Sequence, residues 1–228
     1  MNPGNSRILI CPFCGKKKEI MSLLSGNTFG AEMWSDNKQI APMLPEISYV
    51  QRCPQCGKYY ITERQELKYA KDSYSFDKGL LSYPEMKEAF IQLSEEGFVN
   101  EEEETKVRMM LHHAYNDYYY RSYDNNEIET KVRMMLHLAY NDYYYRSYDN
   151  KEINAEDKTL FHENGSWLID NLITDNVLKA EFYREIGEFE VAHDILESVE
   201  VEDEFLKRIM TQIQERLQNN DCRVFKIQ

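Results

Sequence analysis

The sequence has no apolar run that approaches the ~20 residues a membrane-spanning helix needs. Its opening residues, MNPGNSR, do not resemble a signal peptide, since no charged segment leads into a long apolar stretch. We therefore expect no membrane partner and a cytoplasmic location. Thiols stay reduced there, so that paired cysteines indicate metal or redox chemistry rather than disulfides.

Basic residues are scarce and unevenly placed. The formal net charge is −13, but residues 1–64 carry eight Lys or Arg against five acidic residues, which leaves −16 on the remaining chain. A strongly acidic body repels a phosphate backbone, which disfavours nucleic acid as the main partner. The basic residues near the cysteines form the one candidate surface for it: Lys16, Lys17, Lys18, Arg52 and Lys58.

Four of the five cysteines lie in two matching motifs. Cys11-Pro-Phe-Cys14-Gly and Cys53-Pro-Gln-Cys56-Gly each place two thiols two residues apart on a tight turn. The glycine after each pair tolerates a positive φ, which lets backbone amides turn toward the sulfurs. Four thiolates are the closed tetrahedral set of a structural zinc site. We predict that these four cysteines bind one metal ion, and that Cys222 is a free thiol.

Short β-type segments flank these motifs. They lie at residues 7–10 and 47–51, before each motif, and at 59–61, after the second. The paired C-P-x-C-G motifs resemble those of zinc ribbons and of rubredoxins. The resemblance implies bound Zn²⁺, with Fe and electron transfer as the alternative. We place this small β region at residues 1–65.

The segment between the two motifs is long for a minimal ribbon, and long loops usually pack on something or bind something. Its large apolar candidates are Phe29, Trp34 and Met43. One interpretation, which we favour, is that they cover the ribbon or dock it on the rest of the protein. The other is that they form an exposed binding surface.

Residues 66–228 are predicted to form an acidic helical domain. Ser82 with Pro84, Asn100 and Asn154 are helix-start signals, and Gly97 is a stop signal. Apolar residues recur with helical spacing from Val107 onward.

This domain contains an almost identical tandem duplication. Residues 104–128 and 129–153 differ only at His113/Leu138 and Asn126/Lys151. If both copies formed one continuous helix, their apolar residues would lie on nearly the same face, because 25 residues make about seven whole helical turns. A break at residues 122–126 is favoured, because so long a helix would leave much of its stripe unburied.

Residues 178–199 resemble one tetratricopeptide-type helix hairpin, with Ala180 and Tyr183 on the first helix, Gly187 at the turn and Ala192 on the second. The fold class we expect is mainly α, with a small N-terminal β zinc ribbon and helical hairpins of this type. A ribbon followed by an acidic tail of this kind is similar to uncharacterised bacterial zinc-ribbon proteins, a likeness that implies an architecture and no activity.

The histidines do not form a recognisable active centre. Glu190-x-x-His193 has the spacing of di-iron bundles, but such sites need two of these motifs. His112 and His137 occupy duplicate positions and are expected to flank the apolar stripe. No glycine-rich phosphate loop, G-x-S-x-G or H-E-x-x-H occurs. We therefore expect no catalytic and no cofactor-binding residues.

The function that these observations favour is a non-enzymatic zinc-binding adaptor that binds another protein or peptide. The alternatives are a zinc ribbon that binds nucleic acid and a rubredoxin-like electron carrier.

Overall fold

A computed structural model describes residues 1–120 and 152–227. Within these ranges the protein is mainly helical, with short antiparallel strand pairs confined to its first 61 residues. The expected fold class, mainly α with a small N-terminal β region, is thereby confirmed. The helices are α1 (Tyr83–Glu96), α2 (Glu101–Tyr119), α3 (Ala155–Asn171), α4 (Asn176–Glu185), α5 (Phe189–Glu197) and α6 (Glu204–Gln218). No helix in the described ranges is long and apolar enough to cross a membrane.

The strands of the described chain form two-stranded antiparallel pairs: β1 with β4, β2 with β3, β5 with β6, and β7 with β8. The predicted segments at 7–10 and 59–61 are confirmed as strands, whereas the one expected at 47–51 begins only at Val50. The bounds are β1 (Asn2–Pro3), β2 (Arg7–Ile10), β3 (Lys17–Ile20), β4 (Leu23–Ser25), β5 (Glu32–Met33), β6 (Gln39–Ile40), β7 (Val50–Arg52) and β8 (Tyr59–Ile61).

The helix-start signals act through local capping. The side chain of Asn100 accepts a hydrogen bond from the backbone amide of Glu103 at 2.9 Å, and Asn154 accepts one from Asp157 at 2.8 Å. Each bond satisfies an amide that would otherwise lack a partner in the first helical turn. Gly97, with φ +85°, ends α1.

The largest apolar core joins the ribbon to the helices. It contains Val50, Tyr59 and Ile61 from β7 and β8 together with buried side chains of α1, α2, α3 and α4. The side-chain amide of Gln92 in α1 also bonds both the N–H and the C=O of Tyr59, at 3.0 and 2.8 Å. The second cysteine motif is therefore held against helix α1.

The segment between the cysteine motifs docks on the C-terminal part of the described chain. Trp34 is buried, while Phe29 is 83% exposed. Ser35 and Met33 bond the backbone of Phe225 and Ile227, each at 2.9 Å. The structure thus agrees with the docking interpretation for Trp34 and leaves Phe29 at the surface.

Residues 65–82 run along the ribbon without forming a helix. Backbone bonds join Ser6 to Ala70 and Ser73, and Met21 to Asp77. The division between residues 65 and 66 into two domains stays a prediction.

The first copy of the duplication supplies α2 from Glu104 onward. The predicted break at residues 122–126, and all but the last two residues of the second copy, lie outside the described residues.

A helical hairpin is present where the sequence predicts one. Helices α4 and α5 are joined by Gly187, whose φ of +90° favours glycine. With α6, they enclose a second apolar core that includes Ala180 and Ala192. The tetratricopeptide likeness of this hairpin stays a prediction.

Close packing of α3 against the end of α4 depends on a glycine within α3. A Cβ added at Gly165 would overlap the Cγ2 atom of Ile186. Because the added Cβ is fixed to the backbone and the β-branched Ile186 has few χ1 rotamers, relief of the overlap requires the Ile186 side chain or the two helices to shift.

We expect Gly165→Ala to lower the free energy of unfolding by ~1–3 kcal/mol, despite the better helix propensity of alanine. Urea unfolding measures this change. Glu163→Ala, at an exposed position of the same helix, is the control and should change stability by less than ~0.5 kcal/mol. Equal stability of the two variants would contradict the close contact.

Candidate metal centre

Each cysteine motif forms the same tight turn, called here a metal knuckle. In the first, the amide of Gly15 donates to the carbonyl of Cys11 at 2.9 Å; in the second, Gly57 donates to Cys53 at 3.0 Å. Both glycines have positive φ, +75° and +73°. A side chain is disfavoured in that conformation, which explains why glycine follows each cysteine pair.

The knuckles face one another and bring the four sulfur atoms together. The distances are 3.6 Å from Cys11 Sγ to Cys56 Sγ and 3.5 Å from Cys14 Sγ to Cys53 Sγ. All four sulfurs lie within 4.8 Å of one another. A tetrahedral ion with metal–sulfur bonds of ~2.3 Å would separate its ligands by ~3.8 Å. The four predicted cysteines thus lie close together, in an arrangement compatible with a metal-binding site.

One side of the cluster is apolar and the other meets solvent. Cys11 and Cys53 are buried with Leu9, Ile20 and Tyr60, while Cys14 and Cys56 are exposed. This arrangement anchors one sulfur of each knuckle in the core of the ribbon. An ion held by the four sulfurs would link the two hairpins, β2–β3 and β7–β8, from within.

The electrostatics of the cluster favour a bound cation. Burial opposes ionisation of Cys53, but hydrogen bonds from the Cys56 and Gln55 backbone and the neighbouring thiols lower the pKa of its thiol to about 6. Although the backbone of Lys16 hydrogen-bonds Cys14, desolvation and the neighbouring sulfurs raise the pKa of that thiol to about 12. The sulfurs therefore resist ionising together unless a positive ion compensates their charge.

Four thiolates fill a tetrahedral coordination sphere without leaving a position for water or substrate. Such a set suits a structural ion rather than a catalytic one. Zinc and iron both accept it, and the geometry of the sulfurs does not choose between them. The residues at the site fit either ion. Either would crosslink the two knuckles, and iron would also be able to carry an electron.

A second group of possible ligands lies on α5. His193, Asp194 and Glu197 have ligand atoms within 4.8 Å of one another, but all three are exposed. His193 Nε2 lies 3.7 Å from the carboxylate of Glu197, which is one turn away. The group consists of solvated neighbours on one helix, and Glu190 of the sequence motif does not belong to it.

A buried polar cluster, which the sequence did not reveal, lies between α2, α4 and the segment that joins the knuckles. His112 is fully buried, and its ring stacks between Phe161 and Phe182 at centroid distances of 4.7 and 4.6 Å. Its Nε2 lies 2.8 Å from the carboxylate of Glu185. His112 thus lies beside the apolar residues of α2, as expected, but its complete burial and its carboxylate partner were not predicted. The helical spacing of His112 from Leu111 and Tyr115 gave no sign of a distant carboxylate partner.

Asn116 extends this cluster toward the ribbon. Its amide nitrogen lies 3.1 Å from both the Glu185 and the Asp36 carboxylates. Burial, followed by the charges of Glu181 and Asp36, raises the pKa of Glu185 well above that of a solvated glutamate. Every residue of this group is buried, so that its polar atoms interact with one another inside the protein rather than with bulk water.

We expect Cys53→Ser to weaken metal binding by more than ~100-fold, since loss of a ligand exceeds the 10–100-fold effect of losing a ligand's hydrogen-bonding partner. Elemental analysis of the purified wild-type protein should give about one zinc ion per chain. A red protein that contains iron would overturn zinc in favour of the electron-transfer alternative.

Cys222→Ser is the matched control, because Cys222 lies outside the cluster. It should leave the metal content unchanged. Equal loss of metal in both variants, or full metal content in Cys53→Ser, would contradict the assignment of the four ligands.

Comparison with protein-family models, with curated proteins and with solved structures gives no match to this chain. The zinc-ribbon and tetratricopeptide resemblances therefore rest on the sequence motifs alone.

Proposed function

We propose that this protein is a non-enzymatic, zinc-binding adaptor that binds a basic protein or peptide. The observation that carries the proposal is the closed set of four cysteine sulfurs, which suits a structural ion that fixes a ribbon in place. The ribbon in turn packs on the helices, whose acidic surface would recognise the partner.

The first support is the firm connection between ribbon and helices. Arg64 follows β8, and its Nε donates to the Glu103 carboxylate of α2 at 2.9 Å. The Glu103 side chain is 7% exposed, so this pair is shielded from water better than most surface ion pairs. Together with the bonds of Gln92 to Tyr59, it holds the ribbon in one orientation on α1 and α2.

The second support is a surface of one charge sign. Residues 188–204 contain eight acidic residues and neither Lys nor Arg. All eight are exposed, and they extend from the residue before α5 to the first residue of α6. We call this surface the acidic face: Glu188, Glu190, Asp194, Glu197, Glu200, Glu202, Asp203 and Glu204.

Two apolar side chains lie within or beside the acidic face. Val191 is 40% and Phe205 is 47% exposed. Apolar side chains of this kind provide surface that a bound partner can bury. Opposite charges attract the partner from a distance and orient it as it binds. A Lys- and Arg-rich segment is the partner chemistry that complements this surface. Its binding should weaken as salt screens the charges.

Reversing charges on the acidic face should abolish capture of the partner. The variant is Glu190→Lys/Asp194→Lys/Glu197→Lys, which changes one face of α5. Wild-type protein used as bait at about 50 mM salt should retain basic proteins identified by mass spectrometry, and should lose them at about 500 mM.

The control bait is Glu95→Lys/Asp170→Lys/Glu215→Lys. It has the same net charge as the acidic-face variant, but its changes lie at exposed positions outside that face. It should capture the same proteins as the wild type. A wild-type bait that stays empty at low salt would refute the adaptor proposal, and equal capture by both variants would refute the acidic face as its binding surface.

Nucleic-acid binding through the knuckles is the second candidate, and a specific surface favours it. The ring of Phe13 is 42% exposed, with the Lys58 ammonium 4.6 Å from its centroid. Lys16 and Lys17 are also exposed on the first knuckle. An aromatic ring among cations suits a stacked base and its phosphate. The positive charge of this surface is reduced, because Asp77 pairs with Lys18 at 3.2 Å and Glu85 approaches Arg52 at 3.9 Å.

A gel shift with single-stranded DNA and RNA separates the two candidates. The adaptor proposal predicts no shift at about 150 mM salt. A shift that Lys16→Glu/Lys17→Glu/Lys58→Glu abolishes would establish the knuckle surface as a nucleic-acid site. The variant with Glu190, Asp194 and Glu197 changed to Lys serves as the control for non-specific attraction.

A further inference from the structure

Helix α2 contacts the rest of the protein through side chains that the chain carries twice. Val107, Leu111 and Tyr115 are buried in the main core. The second copy repeats them 25 residues later as Val132, Leu136 and Tyr140. The apolar face that holds α2 in place is therefore present in both copies.

The polar contacts of α2 are repeated as well. His112 and Asn116, which meet the Glu185 carboxylate at 2.8 and 3.1 Å, have counterparts in His137 and Asn141. Tyr119, whose hydroxyl donates to the carboxylate of Asp157 at 2.6 Å, also has an identical counterpart. A partner that buries polar groups accepts only a segment that supplies the matching groups, and the second copy supplies them.

We propose that the site filled by α2, called here the helix slot, binds either copy of the duplicated segment within one chain. The helix slot comprises the body residues that contact α2, among them Asp36, Phe161 and Glu185. The first copy fills it in the structure, and the second copy replaces the first when the first is disabled. This inference does not depend on the adaptor function.

Two described residues favour the first copy. His113 Nε2 lies 3.1 Å from the backbone carbonyl of Asp36, and the second copy has Leu138 at this position. Glu103, just before the first copy, pairs with Arg64, whereas Ile128 precedes the second copy. The second copy thus brings the same apolar face and lacks two polar contacts.

The start of a helix in the slot is preserved in both arrangements. Asn100 caps α2 through a 2.9 Å bond to the amide of Glu103. The residue 25 positions later is Asn125, again an N-cap residue. Either copy therefore begins with the cap that the described helix uses.

The length of the chain allows the exchange. Because Tyr119 at the end of α2 contacts Asp157 in the first turn of α3, the two helix ends lie side by side. With the second copy in the slot, eight residues, 146–153, would connect it to Asn154. Eight residues reach up to ~26 Å when extended, which is ample. In either arrangement the connection on one side of the slot is longer by 25 residues, and closure cost depends only weakly on the length of such a connection.

The test introduces a charge into the apolar face of each copy. Leu111→Asp disables the first copy and Leu136→Asp the second, and the double variant disables both. The full chain is used throughout, and urea unfolding followed by tryptophan fluorescence measures the folding equilibrium. If the slot accepts either copy, the Leu111→Asp protein should still fold and should unfold cooperatively in urea. Its folding equilibrium constant should be lowered by roughly 10- to 1000-fold, which is the effect of two lost polar contacts.

The same proposal predicts that Leu136→Asp changes the equilibrium by less than ~3-fold, because the first copy still fills the slot. The double variant should be unfolded without denaturant or weakened by a further ~100-fold at least. Adding Glu103→Ile/His113→Leu to the wild type removes the two contacts that favour the first copy. Leu111→Asp and Leu136→Asp should then destabilise this background to a similar extent.

Three results would overturn the proposal. One is a Leu111→Asp protein as unfolded as the double variant, which would show that the second copy gives no rescue. Another is a Leu136→Asp protein as damaged as Leu111→Asp in the otherwise unaltered chain, since each copy would then have a site of its own. The third is a rescue that rises with protein concentration and coincides with a dimer in sedimentation, because the exchange would then occur between chains.

Discussion

The buried carboxylate of Glu185 joins three parts of the molecule that are distant in sequence. It lies at the end of α4 and meets His112 and Asn116 of α2, while Asn116 also reaches Asp36 between the metal knuckles. A carboxyl group without water is costly unless its partners stay in place. Loss of any one of these side chains, with the packing kept, would leave the remaining buried polar groups short of a hydrogen bond. Burial also raises the pKa of Glu185, which lowers the cost of holding two further acidic residues close to it.

The metal knuckles and this polar cluster have complementary roles. An ion bound by the four sulfurs would hold the two knuckles of the ribbon together. Each knuckle would contribute one buried and one exposed cysteine to it. The contacts of Arg64 and Gln92 then fix the ribbon relative to the helices. A binding surface built on both parts would hold its shape, which reduces the ordering cost that a partner meets on association.

Local features were predictable from the sequence, and long-range ones were not. The spacing of cysteine and glycine predicted that Cys11, Cys14, Cys53 and Cys56 come together, because a knuckle is a turn of five residues. Asn100 and Asn154 predicted helix starts for the same local reason. The complete burial of His112 was missed, since its carboxylate partner Glu185 lies 73 positions away and apolar periodicity carries no information about it. Trp34 was correctly favoured as docking, but its neighbours' pairing with residues 225–227 had no signal in the sequence.

That last pairing has a consequence for how the protein is made. Both knuckles are complete once residue 58 has been synthesised, yet Ser35 between them bonds Phe225, 190 residues later. At ~5–20 residues per second, the ribosome needs roughly 10 to 40 s to reach that partner. Throughout this interval Trp34 and its neighbours lack the strand-like segment that covers them. A nascent chain would hold a closed knuckle pair with an open loop, and a chaperone that shields apolar loops would meet it in that state.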